Sequence, residues 1–192
     1  MARADYPNLD ELTDSTKALI AGRPLINVLK MWAHSEPLLP LVAQLGATQF
    51  AALELTPRHR ELVVLVVAHA LDAPYVWNQH VAISEACGVT AREREAIRLG
   101  TNWRLADAPF SNADEAMLEF AIAVVSGPRV HNSVFAAVRA HLSERAVVEV
   151  VSVVGYYFTV AKMTTTLEIE SDEFADATVL DAGIDLARGD SR

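Results

Sequence analysis

Two ionisable side chains stand among apolar neighbours: Glu61, at the start of the run Leu62–Ala68, and His80, in the run that follows the Asp72–Pro74 break. A carboxylate set among leucines and valines must find a partner, reach water or shift its pKa, and such groups are candidate acid/base machinery. Counted along two antiparallel helices at ~1.5 Å per residue, Glu61 and His80 are offset by roughly 7 Å along the axis. That distance lets the two side chains meet directly or through one water. Trp77, His80, Val81 and Ser84 follow the spacing of one helix face, which predicts the indole and the imidazole side by side. A carboxylate that orients a histidine beside an aromatic wall is a workable proton-transfer site.

The same residues also have plainer readings. A carboxylate in the second turn of a helix favours the positive end of the dipole, and Arg58 or Arg60 could neutralise Glu61. His80 could simply tie two helices together, and Trp77 could be core. Cys87, the one cysteine, reads as a small buried hydrophobe, since no second thiol exists to resolve it. His34 closes a helix where an imidazolium suits the negative end of the dipole. Tyr156 and Tyr157 offer either a phenol to a ligand or aromatic packing, and Lys162 could snorkel.

The elements that must position these groups are helical almost throughout. Asn8 or Asp10 starts a first helix ending at Gly22, Pro24 opens a second to His34, and Ser35 with Pro37 starts a third to about Leu53. Thr56 and Pro57 are an N-cap and a first-turn proline for the Glu61 helix, which breaks at 71–74. Pro74 to Cys87, stopped by Gly88, carries His80, and Thr90 caps a short helix to Leu99. Gly100 to Ser111 reads as a surface loop. Asn112 caps a helix to Ser126, residues 133–141 form another, and Ser143 caps the longest, to about Leu167. Val147–Val154 is β-branched enough to suggest a strand, but its length and flanks favour a buried helix.

The 192 residues are 52% hydrophobic with only 8 Gly and 8 Pro, which fits a packed domain rather than a disordered chain. The formal charge of -9 is concentrated near one end, because residues 168–192 hold eight acids against two arginines. We therefore expect a single helical domain over 1–167 and an acidic tail over 168–192 that serves solubility or caps a neighbouring subunit. No basic footprint for nucleic acid exists, no uninterrupted apolar segment approaches the ~20 residues of a membrane span, and no secretory leader is evident. A cytoplasmic location is expected. No HExxH or similar ligand spacing signals a metal. The all-round apolar Glu61 helix exposes more than a chain of this size can cover, so a homo-oligomer is expected.

The order Leu55-x-Pro57-x-x-Arg60-Glu61-Leu62, Trp77-x-x-His80, Gly88-x-Thr90 resembles the carboxymuconolactone decarboxylase family of the alkylhydroperoxidase D-like superfamily. The likeness is clearest over 55–100, and His34-Ser35-Glu36-Pro37 and Gly155-Tyr156-Tyr157 look like long members. It implies an all-α fold of about seven to nine helices, assembled as a dimer, trimer or hexamer. The redox branch has two cysteines between its glutamate and its histidine; Ala73 and Val76 stand there in this chain. A two-cysteine peroxidase is therefore not expected.

For the remaining branch the resemblance implies a cofactor-independent decarboxylase, lyase or isomerase acting on a small hydrophobic, aromatic or lactone acid. His80 would deliver the proton, Glu61 would set its tautomer, and Trp77, Tyr156 and Arg60 would contact the substrate. The alternatives are a noncatalytic helical binding or assembly protein and a peroxidase carried by Cys87 alone.

Overall fold

The structure, a computed structural model, describes residues 2–21, 25–100 and 110–172. Among the described residues there are nine α-helices and no strand. They are α1 (Asp14–Ile20), α2 (Asn27–Trp32), α3 (Leu39–Ala51), α4 (Pro57–Ala70), α5 (Pro74–Ala86), α6 (Ala91–Arg98), α7 (Asn112–Ser126), α8 (Asn132–Arg139) and α9 (Glu144–Thr166). A 3-10 turn, Leu9–Glu11, precedes α1. The fold is all-α, as the periodicity predicts.

Helix α4 is the centre of the domain and packs against α5, α7 and α9. Leu62 to Val67 are at most 2% exposed, so every face of that stretch is covered within one chain. The prediction that a second subunit must cover this helix is corrected: α5, α7 and α9 surround it. Val147–Val154 is helical in α9, where Val150, Val153 and Val154 join the core. Helix α9 is long and apolar enough to cross a membrane by length and composition, though Arg145, Glu149 and Lys162 interrupt it, and half of its most apolar window is buried against the other helices.

The starts of the site helices follow their local chemistry. Thr56 Oγ1 accepts from His59 N at 3.1 Å, with Pro57 beside it in the first turn, and fixes where α4 begins. The turn into α5 places Asp72 at φ +47, a left-handed conformation that Asp tolerates better than most residues, and Ala73 N donates to Ala68 O. Gly88, at φ +89, stops α5. Thr90 and Glu93 then close a capping box that opens α6.

Several predicted ends shift. Helix α1 begins after Thr13, because Thr13 rather than Asn8 caps it; Asn8 caps the 3-10 turn. Helix α3 begins at Leu39, not at Ser35. Ser111, not Asn112, caps α7, through a box with Asp114. The predicted end of the first helix at Gly22, the start of the second at Pro24 and most of the loop after Gly100 lie outside the described residues.

The start of the predicted acidic tail belongs to the domain. Ile169 is in the core, Glu170 accepts from Ala2 N and the Tyr6 hydroxyl, and Asp172 accepts from Asn27 N at 2.8 Å. Glu170 and Asp172 thus accept hydrogen bonds from donors of their own chain, and the rest of the predicted tail, residues 173–192, lies outside the described residues.

Candidate functional site

Glu61 leaves the first turns of α4 fully buried, and its two carboxylate oxygens have different partners. Oε2 lies 2.7 Å from His80 Nδ1 on α5, and Oε1 accepts from Arg60 Nε at 2.8 Å. Burial alone would raise the Glu61 pKa, but the facing His80 and Arg60 outweigh it and hold the carboxyl below its ordinary value. The two helices thus bring together the pair that spacing predicted.

Arg60, 2% exposed, is committed on every side. Besides Glu61 it reaches Phe50 O and Cys87 Sγ, both at 3.4 Å, and its guanidinium lies 4.5 Å from the centre of the Phe50 ring. It lies beside Cys87 and is not part of the cavity wall described next. The partner the structure gives the Arg60 Nε, expected to contact substrate, is Glu61. Cys87 is likewise outside that wall; burial pushes its thiol pKa up, and Glu61 adds to the effect.

A cavity of about 140 Å³ opens on the other side of His80. Helices α1, α2 and α3 supply an aliphatic wall that includes Leu29, Leu39 and Ala43, and α5 and α9 supply Gln79, His80, Tyr156 and Tyr157. With Nδ1 directed at Glu61, Nε2 is the ring nitrogen left to the cavity, and it has no hydrogen-bond partner among the described residues. The Tyr157 ring meets the His80 ring edge-on at 4.9 Å, and Tyr156 meets Tyr157 edge-on at 5.2 Å. Burial pushes the Tyr156 phenol up to about 12, and that of Tyr157 well above its usual value. Both therefore stay protonated donors at neutral pH.

Trp77 does not line the cavity. Its indole stacks under the Arg98 guanidinium, 4.7 Å from the ring centre, and its buried Nε1 has no partner among the described residues. The predicted shared face with His80 is corrected: three residues along a helix is about 60° short of a full turn, which suffices to direct the indole at α6 instead. Tyr156 does line the cavity, as expected.

The remaining polar wall is organised by a residue that spacing does not reveal. One Asp172 oxygen accepts from the Tyr75 hydroxyl and from Gln79 Nε2, 2.7 Å away for the latter. Asp172 lies 97 residues from Tyr75, and no periodic signal joins them. Among the described residues no group of three or more His, Cys, Asp or Glu side chains is placed to hold a metal ion.

No family model matches the sequence, and no curated protein matches it significantly. Solved structures do match its shape. An uncharacterised peroxidase-related protein from Ralstonia eutropha JMP134, described as an alkylhydroperoxidase AhpD core, superposes with a TM-score of 0.77 at 20% identity, covering 92% of this chain and 95% of that one. A peroxidase-related protein from Silicibacter sp. TM1040 gives 0.76 at 19% identity, over 90% and 92% of the two chains. The debrominase Bmp8 gives 0.69 at 14% identity, over 93% and 96%. The chain has the alkylhydroperoxidase D-like fold, as the resemblance implied.

Proposed function

We propose that the protein is a cofactor-independent enzyme of the lyase or isomerase type, which moves a proton on a small, mainly apolar molecule held against His80. The observation that carries this reading is the His80–Glu61 hydrogen bond at 2.7 Å on a ring that also lines the cavity. Glu61 fixes the tautomer with the hydrogen on Nδ1, so Nε2 accepts a proton from a bound molecule and returns it at another atom. The negative charge of Glu61 stabilises the imidazolium formed in between, and Arg60 keeps that carboxylate ionised. The Tyr156 phenol supplies a donor for negative charge developing on a substrate oxygen.

Several observations support this reading over reaction at the thiol. The cavity holds the unpartnered imidazole nitrogen, whereas Cys87 is outside it and is held in its less nucleophilic, protonated form. The Bmp8 debrominase was solved as a cysteine variant in complex with 2,3,4-tribromopyrrole, so this fold takes a small ring in at least that protein. We further propose a cytoplasmic homo-oligomer, for which the exposed apolar side chains Val148, Val151 and Phe158 of α9 are the support.

The test is solvent-deuterium exchange. A panel of small lactones, cyclic ketones and their carboxylic-acid counterparts is incubated in D2O with the protein, and loss of the α-C–H signal is followed by proton NMR. Exchange by the wild type above the buffer rate is expected, with His80→Gln slower by on the order of 10²–10⁴-fold at unchanged thermal stability. Equal rates in the two proteins, or no exchange at all, would remove the proton-transfer reading.

A further inference from the structure

Among the described residues, the wall of the His80 cavity contains no Asp, Glu, Lys or Arg side chain. The cations around it, among the described residues, are engaged elsewhere: Lys17 donates to Asp10 O, Lys30 donates to Asn27 Oδ1, and Lys162 lies over the Phe158 ring. Arg60 is spent on Glu61, Phe50 O and Cys87, and Arg98 covers the Trp77 ring, itself outside the wall. A carboxylate entering this space would lose its water and gain no guanidinium or ammonium.

The polar groups that remain are sorted into used and unused. The Tyr75 hydroxyl donates to Asp172 and accepts from Val28 N, and the Gln79 amide donates to Asp172, so both are held within the wall. The Tyr156 hydroxyl ends against Gly46 of α3 and has no hydrogen-bond partner among the described residues. A methyl group on Gly46 would overlap that hydroxyl, so the missing side chain makes its room. His80 Nε2 and Gln79 Oε1, the latter buried with no hydrogen-bond partner among the described residues, are the other unused atoms. The hydroxyl is a donor; the amide oxygen and, in the tautomer that Glu61 imposes, Nε2 are acceptors.

We propose that the guest of this cavity is an uncharged molecule consisting of one apolar ring with a hydroxyl-like or N–H-bearing atom, read by Tyr156 and His80, and that carboxylic acids are rejected. An engineered apolar cavity of roughly 150 Å³ takes a benzene, so about 140 Å³ suits a single ring. The proposal rests on the reading that His80 acts in this cavity, and it narrows the reaction. A substrate without a carboxylate cannot lose CO2, which leaves isomerisation or elimination, with the proton leaving one atom of the guest for Nε2 and returning at another.

Isothermal titration of the full chain at pH 7 with phenol, toluene and benzoate separates these cases, because the three differ in polarity and charge at nearly constant size. Phenol is expected to bind about tenfold more tightly than toluene and benzoate far more weakly than either. Tyr156→Phe should bring phenol down toward the affinity of toluene and leave toluene unchanged, which also shows that the variant is folded. Gly46→Ala, which displaces the Tyr156 hydroxyl, should weaken phenol more than toluene. Benzoate binding as tightly as phenol, absence of binding by all three, or a phenol preference that survives Tyr156→Phe would each overturn the proposal. If the binding pattern holds while no substrate exchanges deuterium, the proton-transfer reading fails and this one stands.

Discussion

Two ionic clusters start from neighbouring residues in the first turns of α4, and they do different things. Arg60 and Glu61 point inward and meet His80 on α5, whereas Arg58 and His59 point toward α6 and α7. Arg58 pairs with Glu93 and, at 2.9 Å, with Asp114; His59 Nε2 lies 3.2 Å from Asp114. Both Glu93 and Asp114 are at the same time the third residues of capping boxes, so the outer cluster locks two helix starts to a third. Each cluster has an arginine, a histidine and carboxylate groups, one in the inner cluster and two in the outer. Only the inner one has a ring atom left over at a cavity, and that difference, rather than residue type, separates a site from a clamp.

Arg60→Ala is the most damaging change to the inner cluster. It removes one partner of a fully buried carboxylate, and a loss of about 3–5 kcal/mol is expected in denaturant unfolding. A loss below about 1 kcal/mol would mean that Glu61 is neutral in the folded protein. Arg58→Ala breaks a cluster whose arginine retains 28% of its side-chain exposure, so water replaces part of what is lost. The expected cost is about 1.5–3 kcal/mol, and phenol binding and deuterium exchange should not change. A drop in exchange at unchanged stability would make the outer cluster part of the site.

The smallest effect is in pH dependence. Burial raises the Asp114 pKa, but hydrogen bonds from His59, Arg58 and Ser111 outweigh it and hold the carboxyl well below its ordinary range. The unfolded chain therefore binds a proton there before the folded one does, so this contribution is complete above about pH 4 and is lost as the pH falls. Asp114→Asn should flatten the acid limb of the stability profile below about pH 4, with little change in its shape near neutrality. An unchanged acid limb would show that Asp114 is not held ionised by its cluster.

The inner pair was legible in sequence because its members interrupt apolar runs on both sides of a turn marked by Asp72 and Pro74, and helical rise then fixes their offset. The helix starts were legible through Thr56–Pro57, Thr90 and Ser143, each a local hydrogen bond that needs no tertiary information. The cavity was not. Its far wall is built from residues such as Leu19, Ile26 and Ala43, aliphatics that look the same whether they fill a core or border a hollow. Arg60 and Trp77 were placed on the right helices but aimed the wrong way, since the helical period gives an angle and not the neighbour that claims the side chain. Asp172 lies beyond the last helix in an acid-rich stretch, where composition suggests solvent and the chain instead returns to Tyr75 and Gln79.

The central claim is that Nε2 of His80 is the working edge of a ring whose other edge Glu61 holds. Long-range proton–nitrogen NMR of the imidazole reports both edges in one spectrum. A ring protonated at Nδ1, with an Nε2 resonance that moves as phenol is titrated in and an Nδ1 resonance that stays in place, is the expected result. An Nε2 resonance that does not respond when phenol saturates the protein, or a ring protonated at Nε2 and facing Glu61 as an acceptor, would contradict it.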